Sequence, residues 1–302
     1  MFRLYFKHLY PSFSEWQTDP FAPWSFQESV LLSVLSFFES RLLSQEDFSL
    51  QKALDCEIFM DSGAFAATSM GFELDPYEVA EMQALLQADL IVPLDQIILP
   101  EDSEQTIQQK IDETISNTEI LLDFKPKGSE IVAPLQGHSQ ALLERLFNSY
   151  RELGIHKFAL GGIVFQSNLE AALARIRLAR TITKGYFLHI FGRFLHPELL
   201  KAVIATGADS VDGYGYILSS VKGLYIFKEK YEPIMDVTEG QFDQCSCSVC
   251  KELDLSDLQR GDSLAQYHLI EHNIHSLIAL KEQYLRTNSS SPLSNKEKIM
   301  ED

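Results

Sequence analysis

Six short apolar, β-rich runs recur along the chain: EIFM (57–60), ADLIVPL (88–94), EIVAPL (130–135), KFALGGIV (157–164), YFLHIF (186–191) and ADSV (208–211). Between them lie segments with helical periodicity, over 77–86, 105–122, 139–153, 169–181 and 197–206. Near-continuous apolar strands that alternate with helices predict a parallel sheet covered by helices, hence an α/β fold. The strand starts follow the βα period of a barrel. An open doubly wound sheet is the competing layout, but its G-x-G-x-x-G phosphate turn after the first strand is missing. Polar or glycine residues stand at or just past the apolar runs: Asp61, Asp95, Gln136, Gly161 and Gly162, Gly192 and Asp212. In a (β/α)8 barrel these C-terminal strand ends converge on one face, where sites are built. One carboxylate after a strand is an ordinary turn or helix cap; three aspartates and a glutamine on one side are more than that.

From about 236 the pattern changes. A polar stretch with three cysteines leads into a helix expected over 263–285, followed by a polar tail. The expected organisation is a barrel domain over 1–235, a small metal-binding subdomain over 236–285 and a disordered tail over 286–302.

With 302 residues, 45% of them hydrophobic, the chain can bury a full core. No apolar run approaches a membrane span, and the opening MFRLYFKHLY lacks an uninterrupted apolar core and a small-residue cleavage site. Four cysteines are too few for a disulfide scaffold. The expectation is a soluble, cytoplasmic protein with no membrane partner. The net charge of −18 argues against a polyanionic partner, but it is unevenly spread. Residues 41–123 carry 3 basic against 18 acidic side chains, whereas 124–234 carry 14 basic against 9 acidic. Arg175, Arg177 and Arg180 fall in one predicted helix, either as a solvated face or as a face for nucleic acid.

Cys245, Cys247 and Cys250 form a C-x-C-x-x-C cluster, and Cys56 is the only other cysteine. Three thiols within six residues suit a tetrahedral metal better than packing. His268, His272 and His275 follow at helical spacing, and any one of them could supply the fourth ligand.

Taken in order, several segments resemble the tRNA-guanine transglycosylase family: Asp61-Ser-Gly-Ala-Phe65, Leu94-Asp95, Leu135-Gln-Gly137, Ala159-Leu-Gly-Gly162, Leu188-His-Ile-Phe-Gly192, Gly207-Ala-Asp-Ser-Val-Asp212, the cysteine cluster, and Glu271-His-Asn273. The resemblance covers roughly residues 57–285. It implies a TIM barrel with a structural zinc subdomain near its end, the zinc held by Cys245, Cys247, Cys250 and His272. It implies exchange of guanine in a nucleic acid for a 7-deazaguanine base, with Asp212 as nucleophile and Asp61 moving protons. Ser62, Asp95, Gln136, Gly161 and Gly162 would contact the base, and Phe65 and Phe191 would sandwich it. Net retention at the ribose calls for two displacements, as in retaining glycosidases.

The sequence also departs from the bacterial pattern. Gly213-Tyr-Gly-Tyr replaces the bacterial Pro-Thr-Arg after the nucleophile, nearer the archaeal style. Val164-Phe-Gln-Ser-Asn168 contains no acid to meet an aminomethyl ammonium, and Ile97 is bulkier than the bacterial cysteine there. Both features favour an uncharged 7-cyano base. A tRNA substrate is expected, with DNA as the alternative, and the family's habit implies a homodimer or heteromer. A non-catalytic partner subunit is the competing reading, against which the retained Asp61 and Asp212 speak. A metal-dependent hydrolase would need His and carboxylate ligands at strand ends, and only His189 is near one.

Overall fold

A computed structural model describes residues 2–7, 29–38, 50, 54–166 and 168–289. These fall into two compact units, 3–194 with 206–214 and 195–205 with 215 onward.

The first unit is a closed barrel of parallel strands in sequential order: β1 Arg3–Lys7, β2 Val30–Ser33, β3 Ile58–Asp61, β4 Leu90–Ile91, β5 Glu130–Leu135, β6 Lys157–Leu160, β7 Phe187–Ile190 and β8 Ser210–Gly213. The ring closes where β1 pairs with β8, Tyr5 opposite Asp212. Six strands fall on the six apolar runs. The other two, β1 and β2, are found only in the folded chain. β1 buries just Leu4, Tyr5 and Phe6 between a terminal arginine and lysine, too short a run to signal a strand on its own.

Helices α1 Ala64–Met70, α2 Pro76–Leu86, α3 Glu104–Phe124, α4 Gln140–Glu152 and α5 Leu169–Ile182 belong to this unit. Their starts are set by local chemistry. Asp75, Ser103, Ser139 and Asn168 each accept a backbone N–H of the first turn, and Pro76 opens α2 where its missing N–H costs nothing. Helices on the outside make both faces of each strand apolar, which is why the runs read as nearly continuous. Inside, Tyr5, Leu31, Phe59, Leu90, Val92, Val132 and Ala159 fill the barrel, with Phe187 and Phe191 against them.

The second unit contains α6 Pro197–Ile204, α7 Gly215–Val221 and an antiparallel hairpin, β9 Leu224–Phe227 with β10 Lys230–Pro233. Three short helices follow, α8 Glu239–Phe242, α9 Ser248–Glu252 and α10 Leu255–Leu258, then the long α11 Ser263–Ser289. Tyr225, Ile234, Val237, Phe242, Val249, Leu255, Leu258 and Leu269 form its core. The last helix runs four residues past the expected end at 285, and residues 290–302 of the expected tail lie outside the described residues. Among the described residues no helix is long and apolar enough to cross a membrane.

Candidate active site and metal centre

Parallel closure carries the ends of β1, β3, β7 and β8 to one rim of the barrel. Asp61 is the last residue of β3, and Asp212 the third of the four residues of β8. Asp212 is buried, and its Oδ1 accepts the Gly192 N–H at 2.9 Å. His189 Nε2 lies 3.3 Å from the same oxygen, and His189 Nδ1 is 2.8 Å from Ser210 Oγ. Both contacts fall on one carboxylate oxygen, and among the described residues the other accepts no hydrogen bond. Gly192 adopts φ +117°, a backbone that an L side chain resists, and this turn aims its N–H at Asp212.

Asp61 Oδ2 sits 3.4 Å from the Lys7 ammonium. Burial works against the charge on Lys7, but Asp61 and Asp212 outweigh it and hold the ammonium above its ordinary range. Asp95 follows β4 and is the centre of a second cluster. Its Oδ1 accepts from Ser62 Oγ at 3.4 Å, and Gln136 Nε2 donates to its Oδ2. Gln136 Oε1 in turn accepts the Ile98 N–H at 3.0 Å, so the amide is fixed at both ends. Burial, and then the charge of Asp61, push the Asp95 carboxyl up to about 7.

Gly161 and Gly162 follow β6, and Gly162 has φ +69°. Both carbonyls are taken by one guanidinium: Arg175 donates to Gly161 O at 3.0 Å and to Gly162 O at 3.1 Å. A cavity of about 210 Å³ adjoins this turn, lined by Ile98, Gln136, His138, Gly162, Phe165 and Arg175 among others. Phe65, half exposed, has Phe165 as its aromatic neighbour with ring centroids 6.3 Å apart. Phe191 lies deeper, with its ring against those of Phe59 and His189.

Lys7, His189, Arg175 and Phe165 were thus not singled out as site residues from sequence. Lys7 ends a strand that gives no signal of its own. Arg175 does not belong to a solvated helix face: it is committed to two carbonyls. Arg180 is committed likewise, to Asp209 at 2.7 Å and to the Gly207 and Thr183 carbonyls, while Arg177 remains exposed beside Glu170. Asp209 also accepts the Leu188 N–H, a strand-end structural role.

In the second unit Cys245, Cys247, Cys250 and His272 place their ligand atoms within 4.8 Å of one another. His272 Nδ1 is 3.7, 3.5 and 3.4 Å from the three sulfurs. A zinc tetrahedron with Zn–S of about 2.3 Å and Zn–N of about 2.0 Å has S–N edges of roughly 3.5 Å, so the donor set fits. The orientation of the imidazole fits as well. His272 Nε2 lies 2.9 Å from the Ile226 carbonyl, to which it donates when the Nδ1 lone pair faces the sulfurs. Tyr225 stacks on the imidazole at 3.7 Å, and Asn273 fastens the hairpin to α11 through Ile226 N, Leu224 O and Ser220 Oγ. The mutual hydrogen bonds of the three thiols push Cys245 far down and Cys250 far up, as in a cluster that shares its protons. His275 is engaged elsewhere, 3.2 Å from Ser248 Oγ.

A parallel (β/α)8 barrel with acids at its C-terminal strand ends, on a chain that also carries a Cys3His cluster able to hold a metal, defines the class of protein. The chain belongs to the queuine tRNA-ribosyltransferase family, whose family model matches residues 35–286. It is similar to archaeal proteins named tRNA-guanine(15) transglycosylase. Identity is 29% over 269 residues with that of Pyrobaculum aerophilum, covering 83% of this chain and 52% of the relative. It is 27% over 232 residues with that of Archaeoglobus fulgidus, covering 73% and 47%. It is 26% over 246 residues with that of Haloferax volcanii, covering 77% and 46%. The chain therefore spans about half the length of these relatives.

Proposed function

We propose that this protein is a guanine transglycosylase that replaces guanine in a nucleic acid, tRNA first, with a 7-deazaguanine base. The observation that carries this reading is the pair of strand-end carboxylates, Asp61 and Asp212, beside the Ser62–Asp95–Gln136 cluster. The target guanosine leaves its stack to reach them. Asp212 attacks C1′ of the ribose with its free oxygen, and the C1′–N9 bond breaks as the ester to Asp212 forms. The Asp61 carboxyl gives its proton to the departing N9 and becomes a carboxylate. The arriving base loses its N9 proton to Asp61 and attacks C1′, which releases Asp212 with net retention.

Asp95 and Gln136 read the guanine edge, and their mutual hydrogen bond presets that geometry. Gly161 and Gly162 let the backbone approach the base, while Phe65 and Phe191 cover its faces. Two features support the 7-cyano base over an aminomethyl one. The Gly161 and Gly162 carbonyls are occupied by Arg175 and do not offer an ammonium free acceptors, and the guanidinium itself repels a cation. Buried Ile97 adds bulk near Asp95.

The Cys3His cluster supports a structural zinc: four protein donors leave no open position for substrate. Bound there, the metal would clip α9 and its preceding loop to α11. A dimer, homomeric or with a partner subunit, and a cytoplasmic location complete the reading.

The test is incorporation of radiolabelled guanine into bulk tRNA and, separately, into duplex DNA, with Asp212→Asn as control. Incorporation into one polymer, lost in the variant, establishes the enzyme and names its substrate. No incorporation by zinc-loaded, folded wild-type protein sinks the reading and shifts the weight to a partner subunit.

A further inference from the structure

The opening strand carries a residue for which the proposed reaction as written has no use. Lys7 closes β1, and in the barrel order β8–β1–β2–β3 its strand stands between the strands that bear Asp212 and Asp61. Its ammonium is 3.4 Å from Asp61 Oδ2, and both side chains are largely enclosed, 24% and 18% exposed. Asp212 attracts it as well, and so does Tyr214 beyond β8. Of the other titratable groups at this rim, His189 lies against Asp212, and the charge of Asp61 acts on Asp95.

Resting on the double-displacement reading, we propose that Lys7 is the shared counter-ion of the two carboxylates. It compensates the single negative charge that passes from Asp212 to Asp61 each time the covalent intermediate forms. The balance requires only groups already named. At the moment of attack the reaction needs Asp212 as the carboxylate and Asp61 as the proton donor. As the Asp212 oxygen bonds to C1′ and the C1′–N9 electron pair goes to the base, the Asp61 proton moves to N9. Asp212 is then a neutral ester and Asp61 an anion. The pair holds one negative charge throughout, but the charge changes place among largely enclosed side chains, where an uncompensated charge is costly. A cation that both carboxylates attract stabilises both ends of the transfer, and the long lysine stem lets it follow the charge. Lys7 is thus a positioning residue, acting through the two acids and not on the substrate.

The experiment compares wild-type protein with Lys7→Met and Lys7→Arg in guanine exchange across pH. A nearby cation favours the ionised form of an acid, so its loss moves both limbs of the kcat/KM profile to higher pH, by about one unit or more. The rate at the optimum falls roughly 10–100-fold, mostly in kcat, and Lys7→Arg restores position and most of the rate. Zinc content and thermal midpoint report whether Lys7→Met has simply misfolded. A second readout does not depend on turnover: the carboxyl 13C signals of the site aspartates titrate at higher pH in Lys7→Met than in wild type. Carboxyl signals and pH limbs that stay in place in folded Lys7→Met overturn the proposal. Wild-type protein that exchanges no base overturns the reading of the reaction instead, and the carboxyl titration still decides whether Lys7 is the counter-ion of the pair.

Discussion

The strand-end cluster of the barrel and the Cys3His cluster of the second unit are built in opposite ways. The cysteines fall within six residues, and their donor atoms converge with one histidine until no position is open. The acids of the barrel come from residues more than 150 positions apart, and their cluster keeps charge in excess. Asp61 and Asp212 share Lys7, Asp95 is pushed up to about 7, and one Asp212 oxygen stands free of the donors that hold the other. A closed, saturated cluster stabilises a fold, whereas an open and electrostatically frustrated one is what chemistry needs.

If that contrast is right, damage to the two clusters separates. The largest effect falls on the barrel. Asp212→Asn lowers guanine exchange at least about 10³-fold and Asp61→Asn about 10²–10⁴-fold, with metal content and thermal midpoint nearly unchanged. Metal analysis and differential scanning calorimetry on the same samples check this, and a large loss of metal in either variant breaks the separation.

Next comes the metal centre. Cys247→Ala or chelation removes bound zinc and destabilises the second unit by on the order of 5 kcal/mol or more, seen as lost helical circular dichroism. A metal-free protein with unchanged ellipticity and midpoint refutes the structural role.

The third effect depends on pH. Neutral Asp95 suits its enclosed position, so ionisation costs the folded state between the ordinary carboxylate value of about 4 and about 7. The stability due to the neutral carboxyl is fully present at low pH and lost as pH rises toward 7. Asp95→Asn cannot ionise and therefore gains roughly 1–3 kcal/mol over wild type at pH 8 and little at pH 4, while base binding weakens. Thermal melts at the two pH values decide it, and an equal change at both counts against the burial argument.

The smallest effect is one of selectivity. Arg175→Met frees the Gly161 and Gly162 carbonyls and removes a cation, so preference for the 7-cyano over the aminomethyl base drops about 3–10-fold with exchange retained. Competition between the two bases measures it, and an unchanged ratio removes Arg175 from substrate choice.

Much of the fold was legible because its signals are local. Six apolar runs mark six strands, and helical periodicity marks the segments between them. Asp61, Asp95, Gln136 and Asp212 were visible because a strand that ends in a polar residue is a break in an apolar pattern. Lys7 was invisible for the converse reason: β1 buries three consecutive residues and looks like nothing until β8 and β2 flank it. The guanidinium of Arg175 shares a helix with Arg177, but one reaches carbonyls of the β6 turn and the other an exposed glutamate. Nothing in the spacing of three arginines distinguishes them.

By itself, then, the sequence determined the alternation of strands and helices, the acids at the strand ends and the three thiols of the metal cluster. Each of these follows from residues close in the chain, through periodicity or ligand spacing. Tertiary structure decided which distant groups meet: Lys7 against Asp61, His189 and Gly192 against Asp212, Arg175 beneath the Gly161–Gly162 turn, and His272 turned by the Ile226 carbonyl toward the sulfurs. Those meetings depend on barrel closure and strand register, and a one-residue slip in register would carry every side chain of a strand to its opposite face.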